Sequence, residues 1–576
     1  MIGVSLFLVF VLAKTCVLWG HLAQLTLWSA IAYVWQDALV ALLFGVLASR
    51  AGTIARATGY WVLVVYAAIN IPVSRAVFTP LTRPMLRAAR GPLADSILLY
   101  VTGTNVLLML AILAVAFALP RLMRRVPRTF GAAAAVCAVG LILLGPAASA
   151  RVDTRGMDRN VVMALIGARL PSVQAATQSA DWRRSRYETA PTEDLSRFSG
   201  SATGFNVVLI SLESTAAQYL SLYGSQYDVM PNLSALARQA LVFENAYAVY
   251  PESIKGLFSV LCSVYPAFDS QPEEYAHSGC RSVADVLGEA GYRTAMFHSG
   301  RFGYLGMDSI VRNRGYQTLE DAGAIGGNYN SSFGVDEPAT VTRMLAWIDS
   351  LPRGQRFFLN YLPIAGHHPY ASPERGPFTG TAEIDQYRNA LHYGDASLGS
   401  LVEGLRARGL ERNTIWLIYG DHGEAFHQHE GNFGHTFFVY EENVHVPLIV
   451  AAPGAMNGQQ RVRKVVSLVD VAPTILDLLG IAPPASYQGR TMLDAAPRMA
   501  LFFTDYSLGL LGLRDGRWKF IDETGSGRVE LFDLDRDPRE VSNLAAQHAA
   551  NAAWYETVVR GWSRAQQSYM ARTAAQ

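Results

Sequence analysis

Residues 206–215 read NVVLISLEST, an unbroken apolar run that stops at a carboxylate and two hydroxyls, Glu213, Ser214 and Thr215. A short apolar run without polar alternation predicts a strand covered on both faces, the environment of a parallel sheet. Further strand-like runs fall at 295–298, 357–361, 415–419 and 448–451, with helical patterns at 282–290, 339–350 and 390–408 between them. Strands alternating with amphipathic helices predict an α/β domain on a mostly parallel sheet. Such sheets bind ligands beyond the carboxyl ends of their strands, which is where Glu213 falls. Downstream, 512–521 (GLRDGRWKFI) and 528–534 predict a small antiparallel sheet, and the tail from Ala545 a helix.

Working outward, the first third is different. Residues 1–150 hold eleven Lys/Arg and two acids, Asp37 and Asp95, leaving 37 basic and 45 acidic residues in the rest of the 576-residue chain. Apolar stretches near 2–28, 36–50, 58–78, 97–119 and 129–149 predict about five membrane spans, since about 20 helical residues cross a hydrocarbon core. Lys14 interrupts the first stretch, and the second is short. Arg50 and Arg56, with Arg121, Arg124, Arg125 and Arg128, belong on the cytoplasmic side. The amino terminus is then inside and everything after about residue 150 outside, with Arg83, Arg87 and Arg90 against the rule. A cleaved signal peptide is not expected, because no basic residues precede the first apolar run. Cys262 and Cys280, alone in the soluble part, pair in an oxidising compartment or remain two buried thiols.

Ten of the twelve histidines lie between 277 and 445. The densest stretch is YGDHGEAFHQHEGNFGH, residues 419–435, in which a strand ends at Gly420 and presents Asp421 and His422 side by side. Carboxylate and imidazole together suit manganese, zinc or iron; a capping Asp beside a surface His is the plainer reading. Glu213 is the natural third ligand, or a helix N-terminal carboxylate, two compatible roles. A nucleophilic hydroxyl belongs beside such an ion. Thr215 and Ser253 are the candidates, each also readable as a helix cap. Pro251 precedes Ser253 and Lys255 follows it, which puts Ser253 near a helix N-terminus suited to an anion.

In order, the chain shows NVVLISLES, MPNL at 230–233, FENAYA at 243–248, VLGEAGYRT at 286–294 and GHHPY at 366–370. YGDHGE at 419–424, VPLIV at 446–450, VSLVDVAPTILDLLG at 466–480 and ELFDLDRDPRE at 530–540 complete the series. This succession resembles the sulfatase-like branch of the alkaline phosphatase superfamily over roughly 206–545. With spans ahead of the domain, it is similar to the lipoteichoic acid synthases and phosphoethanolamine transferases.

The resemblance implies an α-helical membrane domain followed by an α/β sulfatase-type domain and a small C-terminal antiparallel subdomain. The expected divisions are 1–150 transmembrane, 151–203 connector, 204–500 catalytic and 501–576 C-terminal, with an interfacial helix suited to 161–170. It implies metal ligands Glu213, Asp421 and His422, with Ser253 as nucleophile and fourth ligand to manganese or zinc, calcium and magnesium being alternatives. His298, Arg301, His367, His429 and His435 are implied substrate contacts, and Lys255 is a cation close to Ser253. Transferases of this kind carry threonine where this chain has Ser253. Sulfatases carry Cys or Ser in a C/S-x-P/A-x-R pattern for oxidation to formylglycine, whereas this chain reads Ser253-Ile254-Lys255-Gly256-Leu257. The expected activity is transfer of a phospholipid headgroup through Ser253 to an envelope glycan or glycolipid, with ester hydrolysis as the alternative and no nucleic-acid partner. The expected location is the inner (plasma) membrane, multi-pass, with the catalytic domain on the periplasmic or extracellular side.

Overall fold

The computed structural model describes residues 1–19, 26–88, 100–166, 181–188, 192–328 and 333–573. Strand β1, Asn206–Leu212, is buried along its whole length. Val207 and Leu209 point into one hydrophobic core, and Val208, Ile210 and Leu212 into another on the opposite face. Two cores, one per face, are why the sequence shows a continuous apolar run rather than alternation.

The remaining strands of this sheet are β2 (Ala240–Tyr247), β3 (Arg293–His298), β4 (Thr318–Glu320), β5 (Phe357–Leu362) and β6 (Thr414–Gly420). After a two-residue hairpin, β7 (Ala425–Phe426) and β8 (Phe433–Gly434), come β9 (His445–Ala451) and β10 (Gln460–Ser467). The order is β10-β2-β9-β6-β1-β5-β3-β4. All pairings are parallel except those of β9, which runs antiparallel to both β6 and β2. Strands β2 and β10 carry polar residues at partly exposed positions, which masks them in a hydropathy reading. A second, antiparallel sheet joins β11 (Met499–Thr504), β12 (Leu510–Asp515), β13 (Trp518–Glu523) and β14 (Arg528–Asp533) in sequence order. The terminal helix Ala549–Thr573 packs on it through Tyr555, Val558, Val559 and Trp562. Cys262 and Cys280 form a disulfide.

Among the described residues, five apolar helices stand ahead of the sheet: α1 (Ile2–Leu18), α2 (Leu27–Arg50), α3 (Thr53–Val77), then, after the short α4 (Arg83–Ala88), α5 (Gly103–Met123) and α6 (Arg128–Ser149). Four of them, α2, α3, α5 and α6, are long and apolar enough to cross a membrane; α1 has 17 residues. The sequence boundaries of the first pair need correction. The apolar stretch over 2–28 ends as a helix at Leu18, and the short stretch 36–50 is the second half of the 24-residue α2, capped by Thr26.

Lys14, which interrupts the first apolar run, bonds Asp37 Oδ2 at 2.6 Å. Its ammonium also donates to the carbonyls of Tyr33 and Asp158, and Asn160 Nδ2 donates to Asp37 Oδ1 at 2.6 Å. A charge inside a helical membrane bundle persists when it is paired in this way. The helix expected over 161–170 is observed as α7, Val161–Ile166; residues 167–170 lie outside the described part. It lies against the bundle through Val161, Val162 and Met163.

Arg83 and Arg87, which run against the charge rule, sit on α4. Next to that helix the chain bonds the soluble domain: Thr79 Oγ1 lies 2.6 Å from Ser507 Oγ, and Thr82 donates to the Tyr506 carbonyl. The described residues 78–88 after α3 are therefore on the same side as the sheet, as the alternation of spans requires; Arg90 lies outside the described residues.

Candidate active site

Strands β1 and β6 pair in register to their ends, with Leu212 opposite Gly420. The next residues, Glu213 and Asp421, are thereby neighbours. Asp421 N–H donates to the Leu212 carbonyl, while Asp421 Oδ1 accepts from the backbone N–H groups of Ser214 and His422 at 2.9 and 2.8 Å. A Cβ on Gly420 would stand 2.2 Å from the Thr215 carbonyl oxygen, so this approach of the two strand ends needs glycine. No α-helix follows Glu213. Ser214 takes a left-handed conformation and the Thr215 hydroxyl donates to the Glu213 carbonyl, so a tight turn replaces the helix cap readable at Thr215.

Ser253 arrives on the helix Ser253–Cys262, which follows β2. Glu252, whose side chain accepts from Lys255 N–H, is the cap, and Ser253 is the first helical residue. This removes the capping role from Ser253. Its hydroxyl donates to Glu213 Oε2 at 2.9 Å and lies 3.2 Å from His422 Nε2. His422 Nδ1 is 2.9 Å from the Gly423 carbonyl. That contact assigns the proton to Nδ1 and turns the Nε2 lone pair toward Ser253.

Of the expected substrate contacts, His298, Arg301, His367 and His435 line one cavity with Glu213 and Ser253. His298 Nδ1 donates to the Leu362 carbonyl at 3.0 Å, and the His367 ring lies 4.3 Å from that of Phe333. His429 does not join them. The hairpin pairs Ala425 with Gly434 and Phe426 with Phe433, so Glu424 and His435 meet at its base, at 2.7 Å, while His429 lies in the loop. There His429 bonds Glu442 at 2.7 Å and stacks on Tyr440 at 3.8 Å. Lys255 also points elsewhere, into an ion pair with Asp505 at 2.8 Å. Glu424, which the motif YGDHGE contains but to which sequence alone assigns no role, is buried beside His435 and accepts the Tyr370 hydroxyl.

The sequence pattern of the family described as Sulfatase matches residues 205–481, and that of the N-sulphoglucosamine sulphohydrolase C-terminal domain matches 430–558. Residues 205–481 form a sulfatase-family domain. Among its relatives, arylsulfatase K of Bos taurus is 24% identical over 433 residues, covering 59% of this chain and 78% of that protein. Lipoteichoic acid synthase 2 of Bacillus subtilis is 25% identical over 379 residues, covering 60% of this chain and 58% of that protein. The crystal structure of a lipoteichoic acid synthase from Listeria monocytogenes superposes with a TM-score of 0.55 at 17% identity, over 66% of this chain and 96% of that one.

The sulfatase-family site fits a divalent cation by its donor set. Ligand atoms of Glu213, Asp421 and His422 lie within 4.8 Å of one another, and all three residues are buried. Burial first, then the charge of Asp421, raises the pKa of Glu213, and the groups that oppose this are imidazoles, not Lys or Arg. Burial likewise pushes Asp421 up to about 7 and His422 down to about 4. Two buried carboxylates and a neutral imidazole, with imidazoles as the groups that oppose the burial of charge, form a site that a metal ion satisfies. His422, Glu424 and His435 form a second group of the same kind that shares His422.

The cavity that holds Ser253 has a volume of about 560 Å³. One wall is the polar set just described. The facing wall comes from the helical bundle: Ile69, Val73 and Val77 of α3, Met85 of α4, Val106 and Met109 of α5. Tyr100, just before α5, stacks on His368 at 6.3 Å.

Proposed function

We propose that the protein is a metal-dependent phosphotransferase that takes the headgroup of a phospholipid, phosphoglycerol or phosphoethanolamine, onto Ser253 and passes it to a hydroxyl of an envelope glycan or glycolipid. The observation that carries this reading is the cavity with two unlike walls, Ser253 and imidazoles on one side and bundle helices on the other. A water-soluble ester has no use for a wall of Val, Ile and Met, whereas a diacylglycerol moiety buries apolar surface against it.

In the first displacement the Ser253 Oγ–phosphorus bond forms as phosphorus parts from the glyceryl oxygen. Diacylglycerol leaves with the proton that Ser253 gives up, relayed through an imidazole of the cavity wall, His367 or His435. In the second, an acceptor oxygen bonds to phosphorus, the Ser253 Oγ–phosphorus bond breaks, and the acceptor proton restores the serine hydroxyl. Glu213 holds the hydroxyl in place through its 2.9 Å bond. Arg301 and His298 serve the headgroup, and His367 and His435 the phosphoryl oxygens. A divalent ion on Glu213, Asp421, His422 and Ser253, manganese or zinc by the oxygen and nitrogen donor set, supplies Lewis-acid polarisation when bound. The domain then works on the outer face of the membrane, which the disulfide supports.

The test is mass spectrometry of the purified full chain after incubation with labelled phospholipid and metal. A headgroup-sized phosphoryl adduct on Ser253 is expected, absent in Ser253→Ala. The second reading, hydrolysis of sulfate or phosphate esters, is favoured by the arylsulfatase K relatives and by the sulphohydrolase pattern over 430–558. Formylglycine at position 253, or sulfate release without an adduct, would establish that reading and overturn the first.

A further inference from the structure

A second cavity, of about 830 Å³, adjoins the first. The two share a wall made of Leu86, Glu252, Ile254, Leu305 and Tyr506. Glu252 and Ile254 flank Ser253 on the first turn of its helix, so both cavities reach the segment that carries the nucleophile, from different sides. Their linings differ. The first has the apolar bundle wall; the second is lined by Arg83, Arg87, Arg159 and Lys255 together with Glu252, Asp269, Glu273 and Asp505.

These charges are not evenly neutralised. Lys255 and Asp505 are consumed by their own ion pair. Glu252 is turned to the helix backbone as its cap, its side chain accepting from Lys255 N–H. Arg159 spends donors on the carbonyl and hydroxyl of Ser507 but has no carboxylate partner among the described residues. Arg83 and Arg87, on the exposed side of α4, have no ion pair among the described residues. Three guanidinium groups thus line one cavity beside the bundle without bound carboxylates, a donor set that matches a phosphate or sulfate oxyanion.

We propose that this cavity is a second substrate site, which binds the oxyanion-bearing part of the acceptor through Arg83, Arg87 and Arg159. Donor and acceptor then approach Ser253 from different sides: the lipid along the bundle, the anionic polar molecule through the arginine-lined cavity. The assignment to the acceptor rests on the transfer reading; the oxyanion site itself does not.

The experiment has two arms, each on the full chain in nanodiscs and on Arg83→Gln/Arg87→Gln, a surface pair outside the Ser253 site. In the first, both proteins carry Ser253→Ala and bind inorganic phosphate or sulfate, followed by calorimetry. The double variant is expected to bind about tenfold more weakly, from loss of charge-assisted bonds. Equal binding overturns the site. In the second, the adduct on Ser253 is formed from labelled phospholipid and chased with glycerol phosphate or glycerol. Glycerol phosphate is expected to discharge it at about tenfold lower concentration than glycerol, and the double variant to lose that preference while forming the adduct at the normal rate. Equal discharge by both compounds, or a preference that survives in the variant, overturns the acceptor role. Failure to form any adduct overturns the transfer reading instead, and the oxyanion site then stands or falls on the calorimetry.

Discussion

Ser253 donates its hydroxyl proton to Glu213 Oε2 at 2.9 Å, across 40 residues of sequence. The same hydroxyl faces His422 Nε2 at 3.2 Å. Three elements converge there: the end of β1, the start of the helix after β2, and the end of β6. That convergence, with the bundle wall opposite it, has consequences that can be measured.

Ser253→Ala removes the only hydroxyl in contact with Glu213 Oε2 and His422 among the described residues. Turnover is expected to fall by about 10³-fold or more, with the adduct gone. Ser253→Thr keeps a hydroxyl and should retain adduct formation. Loss of activity with an adduct on another residue would refute the assignment.

Glu213→Gln and Asp421→Asn are each expected to lower bound metal below one ion per chain, read by elemental mass spectrometry. A chelator should lower the melting temperature of the wild-type protein, because an ion that binds only the folded site stabilises it by mass action. Unchanged metal content in both variants would show that the ligands lie elsewhere.

Glu424 and His429 separate chemistry from architecture. Glu424→Gln disturbs the 2.7 Å contact with His435 on the cavity wall, so turnover should fall by about 10²-fold with little change in melting temperature. His429→Ala leaves buried Glu442 without its imidazole partner and should cost about 1–3 kcal/mol of stability while the purified variant still turns over. The reverse pattern would put His429 in the site.

Val73→Trp fills part of the apolar wall. Turnover of a phospholipid donor should drop about tenfold or more, while hydrolysis of a small soluble phosphodiester is preserved. An equal loss for both donors would mean that the bundle wall does not hold the acyl chains.

His298 is buried, and burial lowers its pKa from 6.5 to about 4. With the folded value depressed, its contribution to stability is fully present above about pH 6.5 and is lost as pH falls toward 4, by up to about 3 kcal/mol. Thermal melts between pH 7 and 5 should therefore fall more steeply for the wild type than for His298→Asn. Parallel curves would count against a buried neutral imidazole.

Much of this was legible in the chain. The continuous run before Glu213, the glycine before Asp421-His422 and the order of motifs are local signals, because a strand buried on both faces and a strand end without room for a Cβ constrain residue type at the position itself. Lys14 was legible only as an anomaly, since its partner Asp37 lies on another helix. Strands β2 and β10 escaped because partly exposed polar residues interrupt their hydropathy. His429 and His435 look alike in sequence, six residues apart, and only the two-residue hairpin decides which returns to the site. Lys255, two residues from Ser253, is turned by about 200° around the helix axis and finds Asp505 instead.

Residue type and spacing were enough for the α/β sheet and the apolar first third, and they put Glu213, Asp421 and His422, with Ser253 or Thr215, forward as candidates, because each is written within a few positions of the chain. Tertiary structure alone decided that β1 and β6 end in register, which brings Glu213 against Asp421. It also decided that the chain directly after α3, at Thr79 and Thr82, meets the soluble domain, which brings the bundle wall to the site. Both are contacts between residues far apart in the chain, set by packing that buries apolar surface over whole elements, and no local pattern encodes them.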